Sequence, residues 1–260
     1  MKKIVLTGAG GSIGTVLRAH FANTSRPLTI TDIRELSGVR SSETVVMGDL
    51  SDAAFTRALL QDADAIIHMA GVSTNKSFEE ILPHNIVALN NLYVAAREQG
   101  VRRVIFASSN HATGMYTTDT TLNPKVVFNP DSYYGLSKVF GEALARMFWE
   151  KHEVESVCLR IGSFLQKPTS PRHLSTWLSF PDLCALVDAS LVDEQLGFEI
   201  IYGVSANTRK YWDNSSSRIA YKPADNAENF LEDIERGGIK LSDIEARYQG
   251  GDYVADDFGR

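Results

Sequence analysis

The chain has 260 residues, of which 43% are hydrophobic and 22% are charged, a composition typical of globular proteins rather than disordered or fibrous ones. Its 32 acidic and 26 basic residues give a formal net charge of -6, which argues against nucleic acid or an anionic membrane surface as a partner. The two cysteines, Cys158 and Cys184, lie in apolar runs and predict buried thiols rather than a disulfide. No stretch has the pattern of a signal peptide or a membrane span, so we expect a cytoplasmic protein.

Short β-branched runs alternate along the chain with longer amphipathic stretches. The runs predict strands at residues 3–7, 28–31, 44–47, 65–69, 103–107 and 156–161. The amphipathic stretches predict helices at 13–22, 78–98 and 133–151. Because parallel neighbours need a crossover connection, this alternation predicts an α/β fold with a doubly wound parallel sheet. In such folds ligands bind beyond the carboxyl ends of the strands.

The pattern changes after residue 161, where three prolines precede a predicted helix at 182–191 and a predicted strand at 199–202. We therefore expect one domain over residues 1–260. Within it, residues 1–160 mainly form the cofactor-binding core, and residues 161–260 mainly form a small C-terminal lobe, with the C-terminal helices, that caps the substrate.

A glycine-rich turn follows the first strand and opens the first helix. Glycine allows a tight turn and close approach of the backbone, and the helix N-terminus offers free N–H groups to a pyrophosphate. A glycine trio at this place in a strand, turn and helix predicts a dinucleotide site. The expected cofactor contacts in the turn are Gly8, Gly11, Ser12, Ile13 and Gly14.

Acidic residues follow the second and third strands. Asp32 can accept hydrogen bonds from the adenosine ribose and would repel a 2′-phosphate, which predicts NAD rather than NADP as the cofactor. Arg34 keeps NADP open as an alternative. Asp49, with Leu50, is expected near the adenine, but Asp49 could equally cap a helix that begins near Ser51.

Tyr134 and Lys138 are four residues apart and so share one helix face. A nearby positive charge favours the phenolate and is expected to lower the tyrosine pKa from its usual value of about 10. Such a tyrosine can take a proton from a substrate hydroxyl. The pair by itself is common, and an ordinary exposed pair is the alternative.

With these motifs, His68-Met69-Ala70-Gly71 after strand four and Ser108-Ser109 after strand five, the chain resembles the extended short-chain dehydrogenases. The resemblance implies a Rossmann fold, with Ser109, Tyr134 and Lys138 as catalytic residues and with Tyr134 and Lys138 also beside the cofactor. It further implies cofactor contacts at Ala70, Asn85 and Ile161. Two alternatives stay open, because Ser109 could cap a turn and Asn85 could bond the backbone.

Four further segments and the C-terminal region resemble the uronate dehydrogenases: 106–111, 159–163, 174–177, 211–215 and 221–228, with Gln249-Gly250-Gly251. That resemblance implies oxidation of C1 of D-galacturonate or D-glucuronate by NAD, giving an aldarolactone. Arg172 would bind the substrate carboxylate, although a solvated surface arginine is the alternative for its proline-rich loop. The other substrate contacts implied are Ser73, Ser109, Asn110, His111, Tyr134 and Ser163. For His111, a backbone hydrogen bond within a loop remains the alternative.

Other functions share these motifs. A nucleotide-sugar epimerase or dehydratase, or another sugar dehydrogenase, has the same cofactor features, although the C-terminal region is short for holding a nucleotide diphosphate. A dinucleotide sensor without catalysis is a remoter alternative. The six histidines are scattered and no Cys/His cluster has metal-ligand spacing, so no metal is expected. A homo-oligomer with a small-molecule hexuronate as its substrate is expected.

Overall fold

The computed structural model describes residues 3–22, 24, 26–192 and 196–259. Strands and helices alternate along these residues. In chain order they are β1 (Lys3–Thr7), α1 (Ser12–Phe21), β2 (Leu28–Thr31), β3 (Glu43–Val45), α2 (Ala53–Leu59), β4 (Ala63–His68), α3 (Phe78–Ile81), a π-helical turn (Leu82–Val87), α4 (Ala88–Glu98), β5 (Arg103–Ser109), α5 (Tyr133–His152), β6 (Glu155–Ile161), β7 (Ser163–Phe164), α6 (His173–Thr176), β8 (Trp177–Leu178), α7 (Phe180–Val192), β9 (Phe198–Gly203), α8 (Leu231–Gly237), α9 (Asp243–Arg247) and α10 (Asp252–Ala255). Single 3₁₀ turns lie at Asn110–Thr113 and Ala227–Phe230.

Seven strands form one sheet in the order β3-β2-β1-β4-β5-β6-β9. β1 pairs in parallel with both β2 and β4, with Val5 opposite Thr29 on one side and Ile66 on the other. From β1 the chain adds β2 and β3 on one side and then returns to add β4 and β5 on the other. Ligand sites of such sheets lie at this reversal of strand order, beyond the carboxyl ends of β1 and β4. The predicted doubly wound α/β fold is confirmed.

Contacts divide the chain into two compact units. The first takes in the described residues of 1–107, 140–158 and 194–199. Its strands are apolar in succession, as β1 shows with buried Ile4, Val5 and Leu6, because a parallel sheet is covered on both faces. A fully buried Arg103 donates to the Glu155 carboxylate at 2.6 Å, which pairs its charge inside this unit.

The second unit takes in residues 108–139, the described residues of 159–193, and the described residues of 200–260. One of its apolar clusters consists of Leu122, Tyr202, Val204 and Trp212. A second cluster is formed by Leu174, Trp177, Ala227 and Ile234. Both units draw on residues from either side of 160, so the proposed division into a cofactor segment and a substrate segment stays a prediction.

The structure corrects several details of the predicted elements. The predicted helix at 78–98 is divided by the π-helical turn at Leu82–Val87. Helix α2 begins at Ala53, two residues after the start considered near Ser51, and the short parallel pair β7 and β8 was not predicted. The strand predicted at 44–47 lies at Glu43–Val45. Throughout the described part of the chain, no helix is long and apolar enough to cross a membrane.

Candidate active site

A cavity of about 390 Å³ lies within the first unit, at the carboxyl ends of β1, β2 and β4, and we call it the glycine-loop pocket. Its lining includes five predicted cofactor residues, Gly8, Asp32, Asp49, Leu50 and Ala70, and one predicted substrate residue, Ser73. Met69, His84 and Arg34 line it as well, and only Arg34 had a predicted influence on the site.

The glycine turn is built from close backbone contacts. Gly8 has a φ of +69°, and a Cβ there would lie 2.6 Å from the Ala70 nitrogen. A Cβ at Gly14 would lie 2.2 Å from the Gly8 carbonyl oxygen. Gly11 precedes α1 as its N-cap, and Ser12 and Ile13 form the first turn of that helix. Any side chain at Gly8 or Gly14 would therefore displace the loop from the mouth of the pocket.

Asp32 connects the glycine turn to the end of β2. Its carboxylate accepts hydrogen bonds from the Gly10 N–H at 2.9 Å and from the Arg34 N–H at 3.0 Å. Arg34 Nε lies 3.7 Å from the same carboxylate, on a side chain that is 71% exposed. Nearby, Thr31 Oγ1 is buried with no hydrogen-bond partner among the described residues. The glycine cradle, the carboxylate and this unpaired hydroxyl fit a nucleotide that brings ribose hydroxyls and a pyrophosphate.

Asp49 lines the pocket, but it is not the helix cap that the sequence left open. The N-cap of α2 is Asp52, whose side chain accepts from the Ala54 and Phe55 N–H groups. Asp49 instead accepts from the Ser51 N–H at 2.8 Å. The capping alternative for Asp49 is therefore wrong, and its contact with an adenine stays a prediction.

Asn85 forms hydrogen bonds with the backbone, which was the alternative considered for it. Its amide accepts from the Val72 N–H at 2.8 Å and donates to the Val72 carbonyl at 3.0 Å. Asn85 lies in the π-helical turn, and Val72 lines the glycine-loop pocket. Asn85 thus fixes the loop after β4, and a direct contact with the cofactor stays a prediction.

A second group of polar side chains lies within the second unit, and we call it the tyrosine site. It consists of Ser109, Asn110, His111, Asp131, Tyr134, Lys138, Ser163 and Arg172. Ser132 Oγ accepts from the Gly135 N–H at 3.0 Å, which caps the start of α5. The helix then places Tyr134 and Lys138 on one face, with Lys138 Nζ 5.2 Å from the centre of the Tyr134 ring.

Ser109 contacts the Tyr134 hydroxyl and also caps a turn. Its side chain forms a hydrogen bond with Tyr134, and Ser109 Oγ accepts from the His111 N–H at 3.2 Å. Ser109 therefore caps a turn, and its catalytic contact with the reacting oxygen stays a prediction. Ser109 ends β5, so the central sheet fixes its position.

The Tyr134 phenol has a raised pKa rather than the lowered one that the sequence predicted. Burial is the main cause, because it penalises the phenolate, and the charge of Asp131 adds to it. The hydrogen bond from Ser109 acts in the opposite direction. The surroundings of Tyr134 therefore keep it protonated at neutral pH, and the predicted direction is wrong.

Arg172 is held by polar groups rather than extended into solvent. Nη1 donates to Ser163 Oγ at 3.0 Å, and Nη2 donates to the Gln249 carbonyl at 2.7 Å. When the Asn110 amide is oriented to satisfy its neighbours, it donates to the Ile161 carbonyl at 3.0 Å and accepts from Nη2 at 3.2 Å. Nε is buried with no partner among the described residues. The alternative of a solvated surface arginine is wrong.

Two nearby carboxylates and a neighbouring histidine determine the electrostatic surroundings of Arg172. Burial lowers the pKa of its guanidinium, and the carboxylates of Asp252 and Asp131 oppose that shift. The neighbouring His173 accepts from the Thr169 and Ser170 N–H groups, at 3.0 and 3.2 Å. Burial, followed by the charge of Arg172, lowers the His173 pKa to about 4. His173 is therefore neutral at neutral pH, and Arg172 is the buried cation of this loop.

His111 has a side-chain partner instead of the backbone bond considered for it. Its Nδ1 lies 2.6 Å from Asp131 Oδ2, and its ring stacks on Tyr253 with centroids 3.8 Å apart. The ring also meets the Tyr134 ring edge-on at 5.7 Å.

Sequence reasoning missed four residues of the tyrosine site and its surroundings, Asp131, Gln249, Tyr253 and Thr176. The Thr176 hydroxyl lies 2.8 Å from Ser163 Oγ. The Asp131-Ser132 pair carries the signal of a helix start, which conceals a role for the carboxylate. Gln249 was noted only as part of the resemblance.

Ser73 and Ile161, predicted to contact ligand, lie after β4 and at the end of β6, and their ligand contacts stay predictions. Among the described residues, no group of three or more His, Cys, Asp or Glu side chains could hold a metal ion.

Comparison with known proteins places both sites in a family context. The family model described as the NAD dependent epimerase/dehydratase family matches residues 4–178. The uronate dehydrogenase of Pseudomonas syringae pv. tomato is 41% identical over 256 residues, which cover 97% of this chain and 93% of that protein.

Two solved structures are similar over almost the whole chain. A mutant uronate dehydrogenase from Agrobacterium tumefaciens, complexed with NAD, has a TM-score of 0.95 and 40% identity, covering 100% of this chain and 99% of that one. The glucuronic acid dehydrogenase from Chromohalobacter salexigens has a TM-score of 0.94 and 39% identity, covering 98% of this chain and 97% of that one.

Proposed function

Because the chain belongs to the uronate dehydrogenases, within the NAD dependent epimerase/dehydratase family, we propose that it oxidises C1 of a hexuronic acid with NAD. The substrate is the cyclic form of D-galacturonate or D-glucuronate, and the product is an aldarolactone. The cofactor is NAD, which fits the glycine-loop pocket through the glycine turn, Asp32 and Thr31.

The observation that carries the proposal is that the Arg172 guanidinium lies in the same unit as the hydrogen-bonded pair of Ser109 and Tyr134. Arg172 Nη2 lies 3.2 Å from the amide oxygen of Asn110, and the adjacent Ser109 bonds the Tyr134 hydroxyl, so the two groups lie at one site. A proton acceptor and a fixed cation at one site match a sugar that has both a reacting hydroxyl and a carboxylate.

The proton and the developing charge are handled by three side chains. Tyr134 takes the proton of the C1 hydroxyl, and Ser109 donates a hydrogen bond to the oxygen that gains charge. The Lys138 ammonium favours the phenolate over the phenol, which counteracts part of the cost of burial. The nicotinamide of NAD supplies the hydride acceptor for this chemistry.

The substrate carboxylate is bound by Arg172. Three of its five N–H groups donate to Ser163, Gln249 and Asn110, which fixes the guanidinium plane. Two remain, the buried Nε N–H and one Nη1 N–H, and the Nη1 group is the proposed donor to a carboxylate oxygen. Ser163, Asn110, His111 and Ser73 are the proposed partners of the sugar hydroxyls.

The test is formation of NADH, followed by its absorbance, when the purified chain meets NAD with D-galacturonate or D-glucuronate. We expect turnover with at least one uronate and much weaker turnover with the matching neutral aldoses. A chain that binds NAD and forms no NADH with either uronate would contradict the proposal and favour a dinucleotide sensor. Isomerisation of a nucleotide sugar without net NADH would favour an epimerase.

We also propose that the protein works in the cytoplasm as a homo-oligomer. Both cysteines are buried thiols, as expected in a reducing compartment. In the segment from α3 to the π-helical turn, Phe78, Leu82 and Val87 are 43%, 36% and 39% exposed, and these are the side chains that we propose for the contact between copies. Light scattering on the purified protein and fractionation of cells test the two proposals.

A further inference from the structure

Asp131 occupies a space made by three glycines. Its side chain is fully buried. A Cβ at Gly114 would coincide with Asp131 Oδ2, a Cβ at Gly250 would overlap the same atom, and a Cβ at Gly135 would lie 3.0 Å from Oδ1. Three separate segments thus have a glycine where a side chain would overlap or crowd this one carboxylate. Since a buried carboxylate is costly unless it is paired and hydrogen-bonded, its partners indicate what it does.

The carboxylate has two side-chain partners in the described part of the chain. Ser132 Oγ donates to Oδ1 at 2.8 Å, and His111 Nδ1 lies 2.6 Å from Oδ2. A carboxylate only accepts hydrogen bonds, so the Nδ1 atom carries a proton. In the neutral ring Nε2 is then an acceptor, on the side of the imidazole that faces away from Asp131.

The rest of the ring is fixed as well. Tyr253 stacks on it at 3.8 Å with an interplanar angle of 23°, and Tyr134 meets it edge-on. The His111 backbone N–H donates to Ser109 Oγ, the atom that also bonds the Tyr134 hydroxyl. Nε2 makes no hydrogen bond within the described residues. One tautomer, in one orientation, is therefore presented beside the reacting tyrosine.

We propose that Asp131 is a positioning residue for the oxidation reaction, acting through His111. It fixes His111 with the proton on Nδ1, so that Nε2 accepts a hydrogen bond from a sugar hydroxyl next to the one that reacts. This inference rests on the proposed function for the identity of the ligand. The state of the His111 ring does not depend on that function and can be measured without substrate.

The first test is nitrogen NMR on protein with ¹⁵N-labelled histidine, in which protonated and unprotonated ring nitrogens have distinct shifts. A His111→Gln variant identifies the His111 signals among the six histidines. We expect Nδ1–H in the wild type. In Asp131→Asn the amide can donate to Nδ1, so the proton should move to Nε2 in a large share of molecules. A wild type with a proton on Nε2, alone or together with one on Nδ1, would overturn the proposal even if no variant folds, because a protonated Nε2 cannot accept a hydrogen bond.

The second test is a double-mutant cycle on kcat/KM for the uronate. Removing a partner that orients a functional histidine commonly costs about 10–100-fold, and we expect Asp131→Asn to fall in that range with NAD affinity unchanged. In the His111→Gln background, Asp131→Asn should lower kcat/KM by less than about twofold, since the imidazole through which Asp131 acts is already absent. An equal loss in both backgrounds would show that Asp131 only stabilises the fold.

Asp182→Asn is the matched control. Asp182 is a buried carboxylate of the same unit that accepts from the Ala224 and Asp225 N–H groups, at 2.8 and 3.1 Å. Its loss should lower stability without changing the His111 tautomer. If the chain did not oxidise uronates, the kinetic cycle would give no signal, but the NMR measurement would still show whether Asp131 sets the His111 tautomer. Failure of the proposed function and failure of the proposal for Asp131 are therefore distinguishable.

Discussion

The Tyr134 hydroxyl must lose its proton in the proposed reaction, and its surroundings oppose that loss. Burial raises its pKa, and Asp131 raises it further. Because the group is protonated below its pKa, the fraction of phenolate increases about tenfold per pH unit as the pH rises from neutral. We expect kcat/KM to climb from pH 7 to pH 9, measured as NADH formation at saturating NAD.

Tyr134→Phe is the variant that checks this assignment. It keeps the ring and its contact with His111 but removes the base, so kcat should fall at least about 100-fold. NADH binding, followed by fluorescence, should change little. A variant that kept both its turnover and the alkaline rise would assign the base to another group.

Arg172 is the group proposed to distinguish a uronate from its neutral aldose. A charged hydrogen bond contributes roughly 1.5–3 kcal/mol, and burying an unpaired partner costs more, so kcat/KM should favour galacturonate over galactose at least about 100-fold. Arg172→Ala should lose most of this preference by weakening the uronate. Arg172→Lys should recover only part of it, since an ammonium cannot make the same planar contacts to Ser163 and Gln249.

The measurement is kcat/KM for both sugars on the wild type and both variants. Lys167→Ala is a suitable control, because Lys167 carries a positive charge in the same proline-rich loop and is exposed. If Arg172→Ala discriminates as the wild type does, the carboxylate is bound elsewhere.

Single residues were predictable where the motif itself dictates their surroundings. Asp32 and the glycines follow strands, and the end of a parallel strand is where ligands bind. Asp131 was not predictable, since its role depends on Gly114 and Gly250, which are distant in sequence and whose missing side chains make its space. The raised pKa of Tyr134 was missed because the sequence shows the charged neighbour but not the burial.

At the scale of elements, the turn between β1 and α1 depends on Gly14 more than its sequence pattern reveals. A Cβ there would lie 2.2 Å from the Gly8 carbonyl oxygen, so Gly14→Ala must move the loop or the start of the helix. We expect NAD affinity to fall at least about tenfold, measured by calorimetry. Gly237→Ala is the control, since Gly237 lies in helix α8 and nothing lies within 4 Å of its Cβ position. Unchanged affinity in Gly14→Ala would mean that the turn does not bind the pyrophosphate.

The regular elements followed from periodicity and the irregular ones did not. Buried parallel strands such as β1 and β2 are continuous apolar runs, so their bounds could be predicted to the residue. The π-helical turn at Leu82–Val87 has the same apolar spacing as a helix over so short a stretch, and two-residue strands such as β7 have no measurable period.

At the scale of the whole molecule, nucleotide binding should stabilise the fold by mass action. A ligand at one hundred times its Kd adds about 2.7 kcal/mol to the free energy of unfolding, which for a chain of this size raises Tm by about 5–10 °C. NADP at the same concentration should raise Tm less, because the Asp32 carboxylate would repel its 2′-phosphate.

In Asp32→Ser the rise in Tm with NAD should be smaller, and the difference between the Tm shifts with NAD and NADP should narrow. Arg172→Ala should keep the full NAD shift, since Arg172 belongs to the proposed sugar site. The measurement is a thermal melt of each variant with and without each nucleotide, and equal shifts with NAD and NADP in the wild type would contradict the role given to Asp32.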